Sequence, residues 1–228
     1  MDEWMWRFLG KVPLDAINLT LGDLGFMEEI LSGKSAIARP EQVPGKNFVS
    51  ANLAWKEAGK ACPWKPFLIL EQKPRGFRKT WKIAVTGLAA EQGAYNRSMV
   101  ELRDPAAALP EVLAKIREKC DYVILLTNLH AGAVEKLVQD HPGVDMAILA
   151  NHGTSLNPPR KIGETALVES FDQGKFLGEI ALYMNGAGQV ERLRNRYIEL
   201  NSSIPDPPEL ARMAQEAESQ LDAVRMKR

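Results

Sequence analysis

Cysteine and histidine are scarce in this sequence: two Cys and three His in 228 residues. Cys62 and Cys120 stand apart, with no CxxC and no Cys/His cluster, which excludes a zinc site of the usual spacing and a disulfide framework. Both are expected to be small apolar residues of the interior. Charge of one sign is also missing: Lys and Arg number 29, as do Asp and Glu. No long-range field therefore recruits nucleic acid, an anionic membrane or a polyanionic substrate. No apolar run approaches the ~20 residues that cross a bilayer. Residues 1–12 carry Asp2, Glu3, Arg7 and Lys11 where a signal peptide would be apolar. As written, the chain is expected to be cytoplasmic; a leader upstream of Met1 would make it an exported protein instead.

What is present is enough for a sizeable core, with 45% hydrophobic and 25% charged residues. Trp4, Met5, Phe8 and Leu9 share one side of a short helix that Pro13 stops. A strand is expected over 15–19, a helix over 23–32 ended by Gly33, a Pro/Gly loop over 36–46 and a strand over 47–52. Residues 53–66, with two Trp and two Pro, read as an irregular excursion. The β-rich runs 67–72 and 80–88, joined by Lys73-Pro74-Arg75-Gly76, read as an antiparallel hairpin.

From Leu109 onward helices (110–119, 131–140) alternate with nearly continuous apolar strands (122–127, 144–150). Such alternation predicts an α/β fold with a parallel sheet covered on both faces. Three further strands are expected over 165–170, 175–184 and 189–200, the last two joined by the hairpin signal Asn185-Gly186-Ala187-Gly188. Arg192, Arg194 and Arg196 alternate at period two and predict a solvated strand face. Gly174 and Gly178 flank β-type residues with no helix following, so they are read as strand packing and not as a phosphate loop. The domain is bounded at residues 1–206, followed by an amphipathic helix over 207–228.

The two buried strands run into polar groups, Thr127-Asn128-Leu129-His130 and Asn151-His152-Gly153-Thr154. Ligands of open parallel sheets sit at these carboxyl ends. Here the sequence resembles a family. The run from Asp121 to Leu129 resembles the 5′-nucleotidase strand that ends in Thr-His-Leu-Gly, and Pro142 to His152 resembles the segment running from Pro-Gly-Ile-Asp into Gly-Gly-His-x-His. Asp15 to Leu19, Ser50-Ala51-Asn52, Lys82 to Leu88 and Gly174 to Gly178 resemble further pieces of the same family, in the same order.

The resemblance, to the 5′-nucleotidase branch of the calcineurin-like metallophosphoesterases, implies a four-layer αββα sandwich, here expected to be missing its first strands and the Asp-x-His they would bear. It also implies a pair of divalent ions that bind phosphate and activate a bridging water. The ligand positions depart from the family pattern. Asp23 falls at the Glu of Gly-Asn-His-Glu or, with a gap, at its Asn; Asn128 replaces one His, His152 survives, and Thr154 replaces another. Asn151, Thr154 and His130 would line the pocket rim.

Asp23, Asn128 and His152 hold at most one divalent ion (Mn, Zn or Mg) weakly, because structural and catalytic sites need three or four good ligands. No residue is assigned a catalytic role. Each residue also has a plainer reading: Asp23 as an N-cap worth about 1 kcal/mol, His130 as an exposed side chain or cap, His141 as a surface residue at a helix end, His152 as a hydrogen-bonded loop histidine. The expected function is a binding or assembly module without hydrolytic activity of its own, with a second copy or a partner chain covering an exposed sheet edge. The alternative is a metal-dependent phosphoesterase acting on nucleotides or other phosphate monoesters. A third reading is a metal-free small-ligand pocket.

Overall fold

The computed structural model describes residues 2–25, 47–56, 62–92, 100–150, 158–170 and 174–225. Its centre is a six-stranded sheet in the order β4(Phe67–Gln72), β5(Trp81–Leu88), β7(Tyr122–Thr127), β8(Met146–Ala150), β10(Thr165–Ser170), β9(Arg160–Ile162). The inner four strands are parallel, and β4 and β9 flank them antiparallel. The expected hairpin over 67–88 is therefore present, with Phe67 opposite Thr86 and Gln72 opposite Trp81. Strand β9 was not expected; it turns back onto β10 through Gly163, whose φ of +56° suits a residue without a Cβ.

Continuous apolar strands have two faces to bury, and both are covered. On one face Val123, Leu125, Ala147, Leu149 and Leu167 pack under helices α2(Pro105–Ile116) and α3(Ala131–Asp140). On the other, Trp81, Tyr122, Met146 and Val168 meet Ile180, Leu182 and Leu193 of the hairpin β11(Phe176–Met184)–β12(Val190–Glu199). The layers are thus helices, main sheet and a second, two-stranded sheet. The outer face of that hairpin is exposed, as the arginine spacing predicts. There Arg196 makes a two-pronged bond to Glu179 (2.8 and 2.7 Å) and Arg192 lies over the Tyr183 ring.

Helix α2 opens earlier than expected. Pro110 reads as a start, but Asp104 is the N-cap, accepting from Ala106 N at 3.0 Å, and Pro105 takes the first turn. A proline needs no N–H there. Pro110 lies inside the helix and leaves one carbonyl without its usual donor. Residues 53–66 are also less irregular than their composition suggests, because β3(Leu53–Trp55) pairs antiparallel with β6(Val100–Leu102). Trp55 and Trp64 meet edge to face there, at 5.4 Å between ring centroids.

Helix α1(Asp2–Leu9) joins two clusters. Trp6 enters the one formed by Leu19, Phe48, Leu53 and Trp64, while Trp4 and Phe8 pack on Leu210, Met213 and Ala217 of α4(Pro208–Arg225). Lys11–Glu209 (2.6 Å) and Trp4 Nε1 to Gln220 Oε1 (3.1 Å) fix the two helices together. Of the cysteines, Cys120 is half-buried against the main core, but Cys62 is exposed, contrary to the interior position expected of it.

Asp145 stands just before β8 and holds its register by accepting Val123 N at 2.7 Å. Burial nevertheless pushes its carboxyl above the ordinary range, outweighing that bond and the Arg117 charge. A carboxyl raised in the folded state binds its proton more tightly there than in the unfolded chain, so its contribution to stability falls as pH rises through the raised value. Asp145→Asn keeps an oxygen for Val123 N and removes the charge. The variant should unfold at higher urea than the parent at pH 7, and the gain should vanish once pH drops below the ordinary carboxylate range.

Candidate functional site

The carboxyl ends of β5 and β7 meet the short parallel pair β1(Ile17–Asn18)–β2(Phe48–Val49). Leu19 N bonds Val49 O (3.0 Å) and Ala51 N bonds Gly87 O (2.7 Å), so this pair is tied to the last turn of β5. The approach is close because residue 87 is glycine. A Cβ there would stand 2.2 Å from Asn18 Oδ1 and 2.7 Å from the Val49 carbonyl oxygen.

Three carboxamides converge on the tripeptide Leu88-Ala89-Ala90. Asn18 Nδ2 donates to Leu88 O (3.2 Å). Asn52, wholly buried, donates to Ala89 O (2.8 Å) and accepts from Ala89 N (2.8 Å), with a further donation to Arg103 O (3.3 Å). Asn128 Oδ1 accepts from Ala90 N (2.8 Å), while its Nδ2 faces Gln92 Oε1 (3.5 Å). Amide side chains suit this task because each carries donor and acceptor on one plane and can replace a neighbouring strand where the ladder ends. Sequence reading found Asn128 but missed Asn18, Asn52 and Gly87 as parts of one arrangement. The available signal was that Asn18 and Asn52 each close or follow a short apolar strand.

The other expected site residues divide. Asp23 is not the N-cap. Thr20 precedes the helical turn at 21–25, and Asp23 reaches back as its third residue, its Oδ2 accepting from Thr20 N (2.8 Å) and Thr20 Oγ1 (2.6 Å). This is one half of a capping box, the acidic side chain bonding back to the N-cap backbone, while the Thr20 hydroxyl donates to the same carboxylate and Asp23 N bonds Thr20 O at 3.2 Å. His130 is the N-cap of α3, its Nδ1 accepting from Gly132 N at 3.3 Å, and His141 closes the same helix at its other end. Asn151, His152 and Thr154 lie outside the described residues, directly after β8. The structure therefore brings Asn128 to the strand ends, gives Asp23 and His130 capping roles, and does not describe the His152 group.

A second polar group, not expected from sequence, lies at the same end of the sheet under the hairpin. Glu169 and Asn195 are buried at 6% and 8% exposure, and Tyr197 Oη donates to Glu169 O at 2.6 Å.

A pair of divalent ions needs several anionic or imidazole donors. Among the described residues no three His, Cys, Asp or Glu side chains come together to supply them. The donors at the strand ends are neutral amides bonded to backbone. One buried oxygen, Asn18 Oδ1, has no hydrogen-bond partner among the described residues, and it lies against Gly87. The described donor set does not fit a binuclear metal centre.

No family model matches the sequence, and no curated protein sequence matches it significantly. Solved structures do match the fold. Sulfate thiohydrolase SoxB of Thermus thermophilus, in complex with glycerol, superposes over 96% of this chain with a TM-score of 0.75 at 19% identity. A 5′-nucleotidase precursor from Thermus thermophilus gives 0.72 over 99% at 15% identity, and the NAD nucleotidase of Haemophilus influenzae 0.64 over 95% at 13%. The chain spans only 39%, 46% and 43% of the lengths of those proteins, in the same order. The motifs that resemble 5′-nucleotidase segments thus sit in a framework of matching topology, and the chain shares the fold of these solved structures.

Proposed function

We propose that this domain acts by binding or assembly and does not hydrolyse phosphate esters by itself. One observation carries the reading. At the position where the resemblance places a ligand histidine stands Asn128, and its oxygen is spent on Ala90 N at 2.8 Å. A neutral amide already serving the backbone offsets no cation charge, so the group that would bind and polarise phosphate has become part of the scaffold. The Asp23 carboxylate, bonded to Thr20 twice, supports the same reading.

The surface such a module offers includes the outer face of β11–β12, where Leu177 and Tyr183 are 56% and 42% exposed. It also includes the outer edge of β4, which no described strand pairs. A second copy or a partner chain is the occupant this reading expects. A compact monomer by light scattering, with no dye-accessible apolar patch, counts against it.

The second reading is a metal-dependent phosphoesterase of nucleotides or other phosphate monoesters, favoured by the whole-chain likeness to nucleotidase structures. Purified protein assayed with AMP and p-nitrophenyl phosphate in Mn²⁺, Zn²⁺ or Mg²⁺ separates the two. Our reading expects no turnover above buffer and no stoichiometric metal after dialysis. Turnover that His152→Ala abolishes would establish the second reading instead.

A further inference from the structure

A cleft of about 860 Å³ opens at the opposite end of the parallel strands, between their first residues and the β11–β12 turn. Trp81 and Tyr122, which open β5 and β7, form its floor with ring centroids 5.3 Å apart. Met184, Val190 and Leu193 of the hairpin form an apolar wall, and Asp145 lies beside Tyr122. The volume lies in the range of small-molecule sites, and the lining sets an apolar floor and wall inside a rim of charged side chains of both signs.

The acceptors of the floor are only partly satisfied. Tyr122 is 6% exposed, yet among the described residues its hydroxyl has no hydrogen-bond partner. Asp145 spends Oδ2 on Val123 N and on a long ion pair with Arg117 at 3.8 Å, which leaves its Oδ1 without a hydrogen bond among the described residues. Of the four cations in the lining, Lys79 pairs with Asp121 at 2.5 Å, Lys161 pairs with Glu164 at 3.0 Å and Arg192 lies over the Tyr183 ring, while Arg78 stands at the rim. What the floor can still accept is a positively charged donor, and an aromatic face beside a carboxylate is where an ammonium group is held.

We propose that this cleft binds a small organic amine with an apolar body, its ammonium group between the Tyr122 hydroxyl and the Asp145 carboxylate and its body against Trp81 and the hairpin. The site is separate from the strand-end asparagines and does not depend on whether the domain hydrolyses anything.

Phenethylamine, 2-phenylethanol and 3-phenylpropionate, titrated calorimetrically into the purified chain, test this directly. The amine should bind saturably and at least about tenfold more tightly than the neutral and anionic compounds, and it should quench tryptophan fluorescence. Tyr122→Phe, which keeps the ring on Trp81, and Asp145→Asn, which should be the more stable protein at pH 7, should each weaken amine binding about tenfold, a charge-assisted bond being lost in either case. Circular dichroism confirms that both variants are folded. Absence of saturable binding up to millimolar amine, equal binding of the alcohol, or unchanged affinity in both folded variants overturns the proposal.

Discussion

Gly87→Ala should destabilise this protein by about 3 kcal/mol or more, at the upper end of what overpacking a tight interior does. The new methyl carbon would stand 2.2 Å from Asn18 Oδ1 and 2.7 Å from Val49 O. The amide of Asn18 can rotate away, giving up Leu88 O, but the Val49 oxygen is backbone in a paired strand and also accepts Leu19 N. Relief therefore requires the β1–β2 pair to lift off β5. At about 2–4 °C per kcal/mol for a chain of this size, the melting temperature should fall by roughly 6–12 °C. Adding Asn18→Ala should recover only part of the loss, because the carbonyl clash stays. Gly132→Ala is the matching control: its Cβ meets nothing nearer than 3.7 Å, and inside α3 alanine should gain up to about 1 kcal/mol. A melting temperature unchanged by Gly87→Ala would mean that β1–β2 does not bear on β5 as described.

Asn52→Ala should cost a similar amount, about 3–5 kcal/mol, by a different route. Asn52 is fully buried, and removing its amide strands Ala89 N, Ala89 O and Arg103 O where water does not replace it. Each buried group left unpaired costs about 1–3 kcal/mol. Asn52→Asp should be no better at neutral pH. It keeps an acceptor for Ala89 N but turns a carboxylate toward two carbonyl oxygens, without a donor for either. Urea midpoints of the three proteins decide the point; Asn52→Ala within about 1 kcal/mol of the parent would show that the amide is not holding the strand ends.

The main sheet was legible because its strands announce themselves twice. Tyr122 to Thr127 and Met146 to Ala150 are apolar on both faces, as strands between two layers must be, and helical periodicity separates them. Strands β3, β6 and β9 were not legible. Each has only three residues, too few for period two to emerge, and their pairing is decided by distant partners such as Leu102 for Leu53. The site was half legible. Asn128 could be found from its place after a buried strand, and His130 could be foreseen as a cap. That Asp23 serves Thr20 could not be inferred without knowing where the helix begins. The convergence of Asn18, Asn52 and Asn128 on one tripeptide joins residues separated by 34 to 110 positions, and no local pattern encodes it.

The contact between the first and last helices sets an order of events. Trp4 and Gln220 are 216 residues apart, so their bond closes a loop made of nearly the whole chain. Closure entropy places such a contact after the local hairpins and the strand–helix–strand units. During synthesis Trp4 and Phe8 leave the ribosome long before Leu210 and Met213 exist to receive them. Until α4 arrives, the nascent chain carries an uncovered aromatic face at Trp4 and Phe8, and docking of α4 is the step that hides it.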